Sequence, residues 1–367
     1  MEITDLEKPK ECVTYFTCQR ELPFGKNLWV CGNHPLLGAW NPANSLKLTW
    51  SAGHRWNGSI GLPTPGKYEY KFIVASAEGP APSADLVWEE GTNHISVLEK
   101  FPFDNQIKAM SFNIRYLNTH DGVNGWEFRK KHVVAAIRKH AADIVGMQEV
   151  TVKQQGFLKN ELKEYGEVYQ PRDGAEGEGS PIYFRKDRWW LEDKGIFWLS
   201  DTPDVVASRT FGNGIPRIAM WAKLRRVSTN QPLFVMNTHY DHQVSTIRVK
   251  SSALLAKKLF ELKGGCANVV LMGDFNSVPE AEEIVMLPKI TGLIDTFEKC
   301  KEKEKCATFH NWTGQEYAKG EGERIDYIFI SPNMVCESFD IDRSSLDMAG
   351  KLYPSDHYPL IANLFAD

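Results

Sequence analysis

The sequence predicts two domains, an all-β sandwich over residues 1–100 and a layered α/β sandwich over residues 107–367. Three observations carry this prediction. Up to about residue 100, short alternating segments are broken by Gly, Pro and Asn, the rhythm of a small sandwich. Beyond it, apolar strand-like runs alternate with helical ones. Between them, Lys100-Phe-Pro-Phe-Asp-Asn-Gln106 belongs to neither pattern and marks the boundary.

In the first part the predicted strands are Cys12 to Thr17, Leu28 to Cys31, Ser59 to Leu62 and Tyr68 to Val74. In the second, a strand over Ile107 to Ile114 precedes a helix over Trp126 to Ala142. A strand from Asp143 to Val150 and a helix from Gln154 to Tyr165 follow. Val133, Val134, Ile137 and Ala141 mark the apolar face of the first helix, with Arg129, Lys130 and Lys139 turned away. Leu233 to Thr238, Val269 to Gly273 and Ile325 to Ile330 are short, β-branched strands. Trp56 is assigned to the N-terminal core, and Trp189, Trp190 and Trp198 to core or sheet-face packing rather than base stacking.

Composition narrows the class. A chain of 367 residues, 42% apolar and 25% charged, is long enough for two cores and shows no sign of disorder. The segment Met1 to Lys8 is charged and lacks the apolar stretch of a signal peptide. No run reaches the ~18 apolar residues of a membrane span, so a soluble, cytoplasmic protein is expected. The seven cysteines have no C-x-x-C pair and read as reduced thiols. Residues 1–100 hold 9 Lys and Arg against 11 Asp and Glu, leaving 34 against 36 for the rest. Neither part has the basic excess of a tight, nonspecific nucleic-acid binder. The Lys301-Glu-Lys-Glu-Lys305 run reads as a solvated edge.

Six polar islands flank the apolar runs of the second part. They are Ser111-Phe-Asn-Ile-Arg115, Gln148-Glu-Val150, Asn237-Thr-His-Tyr-Asp-His242, Gly273-Asp-Phe-Asn276, Arg324-Ile-Asp-Tyr327 and Ser355-Asp-His-Tyr-Pro359. Strands ending in Asn113, Glu149, His239, Asp274, Asn276, Asp356 and His357 would bring these groups to one edge of packed sheets. A hard divalent ion takes carboxylate and amide oxygens, which suits Mg²⁺ or Mn²⁺ better than zinc, with Glu149 the best single ligand. Phosphoester hydrolysis further needs a base for water and donors for the nonbridging oxygens, roles open to Asp274, Asn276 and the histidines. Asp326 could fix the tautomer of His357 and raise its pKa. Taken singly, each has an ordinary alternative: Glu149 as a cap, a histidine as a satisfied structural group, Asp274 as the anchor of an Asx turn.

In this order the islands resemble the endonuclease/exonuclease/phosphatase superfamily, which includes deoxyribonuclease I. The resemblance implies a four-layer α/β sandwich of two central sheets and metal-dependent hydrolysis of phosphoesters with Mg²⁺ or Mn²⁺. By the family pattern Asn113, Glu149 and Asp356 lie at the metal, Asp274 aligns the water and Asn276 binds the phosphate. His239, and His357 with Asp326, contact the scissile phosphate. Two looser transfers are Glu178, placed as a partner of the first histidine, and Arg217, which opens the strand after Pro216. Asp241 and His242 either extend the site or, the preferred reading for Asp241, anchor its loop.

The first hundred residues carry aromatic planes beside hydrogen-bonding groups, a combination suited to the apolar faces of sugar rings. Val30 to Trp40, Tyr68 to Phe72 and Val87 to Asn93 resemble the starch-binding modules of carbohydrate-binding family 20. The resemblance implies that Trp40 and Trp88 stack on glucose rings while Lys71, Glu89 and Asn93 surround an α-glucan such as starch, glycogen or a maltooligosaccharide. The plainer alternative is that both Trp rings close the sandwich.

Two functions of different class follow. One is a phosphoesterase, acting on a monoester or diester and carried to a glucan by its N-terminal module. The other is a glucan-binding adaptor whose hydrolase fold no longer turns over. A glycosidase fails on chemistry, since a carboxyl pair would suffice and the histidines and asparagines would have no task. The near-neutral charge favours a small or sugar-linked phosphate over a nuclease or deadenylase substrate. No loop in the sequence names the phosphoester.

Overall fold

The computed structural model describes residues 11–63, 66–80, 85–98, 105–301, 303, 307–314, 323–346 and 352–366. Residues 1–10, the boundary residues 100–104, Cys306 and three residues of the Lys301 to Lys305 run lie outside them; Lys301 and Lys303 are exposed. The chain divides into two compact units, one of residues 1–104 and 227–230, the other of 105–226 and 231–367.

The N-terminal unit is the expected all-β sandwich. Glu11–Gln19, Arg55–Pro63 and Thr49–Ser51 form one antiparallel sheet. Lys26–Gly32 and Gly66–Ser76 centre the second, flanked by Leu46–Lys47, Val87–Trp88 and His94–Leu98. Phe16, Leu28, Val30, Leu48, Leu62 and Phe72 fill the space between them. Trp56 joins this core, its indole N–H donating to the Arg20 carbonyl at 2.9 Å.

In the second unit two six-stranded sheets face each other. The first runs Tyr165–Val168, Ile182–Arg185, Ile144–Gln148, Gln106–Asn113, Leu360–Ala366, Met334–Ile341. The second runs Trp189–Trp198, Ile218–Arg226, Pro232–His239, Val269–Asp274, Asp326–Ile330, Ile294–Asp295. Side chains of both, among them Ala109, Ile144, Met220, Val235 and Met272, make one core between the sheets. Helices α1 (Trp126–His140) and α2 (Val152–Glu161) cover the outer face of the first sheet. Helices α3 (Ser245–Lys263) and α4 (Glu282–Thr291) cover the second, completing four layers.

Helix α1 departs from the expected faces. Val133, Val134 and Ile137 are buried, each worth roughly 1.5–3 kcal/mol. Ala141 is exposed and ends the helix with a left-handed backbone, φ 46°. Arg129, expected to point away, is 2% exposed. It stands one turn before Val133 on the same stripe, and its guanidinium donates to the carbonyls of Asn124 at 2.9 Å, Arg115 at 2.7 Å, Pro354 at 3.1 Å and Ile114. Helical spacing put it inward, and main-chain acceptors made that tolerable.

Cys18, Cys31, Cys266, Cys300 and Cys336 are free thiols. Trp189 and Trp198 are core, while Trp190 lies exposed on the edge strand.

Candidate active site

Strand register assembles the site. His239 pairs with Asp274 across parallel strands, and Asp274 with Asp326 across antiparallel ones, so three functional side chains stand in a row at one edge of the second sheet. Asn113 ends a strand of the first sheet opposite Gln148, and Glu149 follows at once. Glu149 has φ 63°, a left-handed turn that interrupts the strand and redirects its side chain. Gly273 lets the row close up: a Cβ there would lie 2.3 Å from the Thr238 carbonyl oxygen. The edge opens into a cleft of about 510 Å³ lined by Glu149, Glu178, Arg217, His239, Asp274, Asn276, Asp356 and His357. Asn113 and Asp326 stand behind the lining residues.

At one end of the cleft carboxylates gather. Glu149 accepts from the Tyr116 backbone N–H at 2.9 Å and from Asn113 Nδ2 at 3.1 Å. The same amide donates to Asp274 at 2.9 Å, while its oxygen accepts from the Arg115 N–H. Asn113 thus turns its nitrogen to the acids, which differs from the oxygen a direct metal ligand would present. Asp356 is buried, and burial, with the nearby Glu149 charge, pushes its carboxyl up against the pull of His357 and Arg115. Arg115, chelated by Asp121 at 3.1 Å, reaches Asp356 at 3.7 Å. Both acids line the same cleft, and carboxylate oxygens are the ligands that a hard divalent cation takes.

Beside them lies a proton-handling row. His357 Nδ1 is 2.9 Å from Asp326 Oδ2, which also accepts from Thr308 at 2.7 Å. Burial pulls the imidazole pKa down, but Asp326, its hydrogen bond, and the Asp274 and Asp356 charges outweigh it and raise the value to about 10. Asp274 Oδ2 lies 3.7 Å from His357 Nε2 and 3.5 Å from His239 Nε2. Burial first and the Asp326 charge second bring Asp274 up to about 7. His239 goes the other way: burial and the Arg217 and Arg172 charges hold it well below the ordinary imidazole range. Asp274 also anchors an Asx turn, accepting from the Asn276 N–H at 2.9 Å, so both readings of that residue hold at once. Donor atoms of Asp274, Asp326 and His357 lie within 4.8 Å of one another, a grouping that could hold a metal ion. The Asp326 to His357 hydrogen bond already uses two of them.

The far wall holds Arg217, Glu178, His242 and one residue that the sequence did not point to, Arg172. Arg217 Nη2 lies 3.0 Å from His242 Nδ1. Glu178 is paired with Arg172, at 2.7 and 3.1 Å, rather than with His239, the partner expected for it. The cause is local: Asp173 accepts from three successive backbone N–H groups of the glycine-rich loop, and the Arg172 N–H donates to the Glu178 carbonyl, so the two side chains emerge together. Only that loop, preceded by Arg172, signalled the pair in the sequence. Asp241 accepts from Gln243 and Val244 N–H groups and anchors its loop as preferred, whereas His242 lines the cleft. Two polar residues of the islands are struts instead. Gln148 donates to Asn237 at 2.7 Å, and Asn237 to the Met147, Ser180 and Pro181 carbonyls, tying one sheet to the other.

In the N-terminal unit, Trp40 and Trp88 stand with ring centroids 6.2 Å apart and planes at 45°. Trp40, with φ 62°, is 36% exposed, and Trp88 is half-buried against Ile73 and Trp29. Lys71 donates to the Glu89 and Gly91 carbonyls at 2.9 and 2.6 Å, and Asn93 to Glu69 at 3.0 Å. Glu89 meets His94 Nε2 at 2.8 Å, and that ring stacks on Tyr70. All five expected residues gather here, and Glu69 and His94 join them.

The family model described as starch binding domain matches residues 11–101. Over 74 residues, 20% of this chain and 12% of the relative, the sequence is 36% identical to an alpha-amylase of Streptomyces violaceus. Over 163 residues, 39% of this chain and 24% of the relative, it is 27% identical to a 3'-5'-exoribonuclease subunit of the CCR4-Not complex from Aspergillus terreus. The chain therefore spans a minor part of the length of these relatives. Among solved structures, an endonuclease/exonuclease/phosphatase from Bacteroides vulgatus is 31% identical with a TM-score of 0.66, covering 71% of this chain and 99% of that one. A mannosyl-6-phosphatase of Bacteroides thetaiotaomicron is 31% identical with a TM-score of 0.65, covering 70% and 99%. The model of the endonuclease/exonuclease/phosphatase family matches residues 110–357, more than half the chain. With a starch-binding domain at its N-terminus, this chain belongs to the endonuclease/exonuclease/phosphatase family.

Proposed function

We propose that the protein is a cytoplasmic, divalent-metal-dependent phosphoesterase, in residues 107–367, directed to an α-glucan such as starch or glycogen by residues 1–100. The observation that carries this reading is the convergence of Glu149, His239, Asp274, Asp356 and His357 on one cleft, with Asn113 and Asp326 bonded behind them.

Glu149 and Asp356 would hold Mg²⁺ or Mn²⁺, with Asn113 fixing Glu149 and Asp274 from behind; such an ion neutralises charge on phosphate oxygens. Asp274, raised to about 7, takes a proton from the attacking water near neutral pH. His357, held protonated by Asp326, donates Nε2–H toward a nonbridging oxygen. Neutral His239 and the Asn276 amide complete the donors. Likeness to a sugar phosphatase over nearly the whole catalytic part supports a sugar-linked phosphoester. The exoribonuclease relatives favour a second reading, a nuclease acting on RNA.

The test is product release with Mg²⁺ or Mn²⁺ across phosphorylated glucan, sugar phosphates, nucleotides, phosphoinositides, abasic DNA and RNA. Asp274→Asn serves as the blank. Turnover of one class that vanishes in the variant supports the enzyme and names its substrate. Silence across the panel, with amylopectin binding retained, would instead support a glucan-binding adaptor.

A further inference from the structure

Two buried arginines beside the cleft are treated in opposite ways. Arg129 spends its guanidinium on five backbone carbonyls, those already named and that of Tyr116. Arg217 is 3% exposed, yet its Nε and Nη1 meet no hydrogen-bonding partner, and its one bond goes to the imidazole of His242. Among the described residues no carboxylate lies within ion-pair distance of it. A buried guanidinium without a counter-ion is strongly unfavourable, so a wall built this way is completed by an anion.

An acid stands near enough to quench it. Glu178 lines the same wall, and each feels the other's charge. Glu178 is withheld because Arg172 takes both its oxygens. Arg172 is itself fixed, its carbonyl accepting the Trp198 indole N–H at 2.6 Å.

We propose that Arg172 is a positioning residue that occupies Glu178, leaving Arg217 a buried cation with no directly paired carboxylate, and that this arrangement makes the cleft select the dianion of a phosphate monoester over the monoanion of a diester. The proposal rests on the phosphoesterase reading above. A monoester, with a second pKa of about 6, carries close to two charges at pH 7 and three equivalent nonbridging oxygens. A diester carries one charge and two such oxygens. The His357 imidazolium, with a cation that Glu149 and Asp356 would hold, answers the charge that both share, and Arg217 answers the one only the monoester has.

The full chain with Mg²⁺ is titrated with inorganic phosphate and with dimethyl phosphate by calorimetry, and turnover is measured on p-nitrophenyl phosphate and methyl p-nitrophenyl phosphate. The wild type should bind phosphate the tighter and favour the monoester by roughly 100-fold or more in kcat/KM. Arg172→Gln should free Glu178 to pair with Arg217, weakening phosphate and raising the monoester KM by about 10-fold or more while changing the diester little. Arg172→Gln with Glu178→Gln should restore both within a few-fold, a recovery that loss of structure cannot mimic. Equal wild-type affinity for the two anions, an unchanged Arg172→Gln protein, or a folded double variant without recovery overturns the proposal. Silence toward both esters defeats the phosphoesterase reading instead, and the phosphate titrations then decide this one alone.

Discussion

Asp326 and His357 are joined by a 2.9 Å hydrogen bond, and the ring nitrogen left over, Nε2, lies 3.7 Å from Asp274. One carboxylate thus sets the proton of an imidazole that faces another. Asp326→Asn removes the charge that outweighs burial at His357. The fall in kcat should be about 10²-fold to 10⁴-fold, with the far-UV spectrum retained and the melting temperature lowered by loss of the buried ion pair. Steady-state kinetics beside circular dichroism checks this; near-full turnover would refute the relay.

The acid limb of activity should follow Asp274. With its pKa raised to about 7, the carboxylate is lost as pH falls through 7, so kcat/KM should drop about tenfold per unit below that point. A pH–rate profile flat down to pH 5 would exclude Asp274 as the base.

Stability should move with the opposite end of the scale. His357 is raised from 6.5 to about 10, so the folded state keeps a proton that the unfolded chain releases. Its contribution is full below pH 6.5 and is lost as pH rises toward 10. Urea midpoints at pH 6.5 and 9.5 should therefore differ more in the wild type than in His357→Asn.

The glucan face should be separable from catalysis. Trp40→Ala with Trp88→Ala removes both ring planes, and amylopectin pull-down should fail while turnover of a small soluble phosphoester is unchanged. Retained pull-down would assign the two rings to closing the sandwich.

Arg129→Met leaves carbonyls of both ends of the unit without their donor. Loss of buried charge-assisted hydrogen bonds should lower stability by about 3 kcal/mol or more, read from the denaturation midpoint.

How far such features can be read from sequence differs by kind. Strand ends carrying Glu149, His239, Asp274 and His357 were legible because an apolar run followed by an isolated polar group leaves few placements for that group. Arg129 was misread because its charge outweighed its position on the helical stripe. Arg172 was hidden since its role depends on a loop closed by Asp173, and loop closure has no periodicity. Asn237 and Gln148 lie in the polar islands yet serve as struts: a buried amide at a strand end needs partners, and here those partners lie in the opposing sheet.

That division between sheets has a kinetic consequence. Asn113 and Glu149 belong to one sheet, His239, Asp274 and Asp326 to the other, and neither layer alone holds enough groups for turnover. The proposed turnover therefore requires both sheets packed through the interlayer core and the Gln148 to Asn237 strut, and on refolding it should return no earlier than that docking.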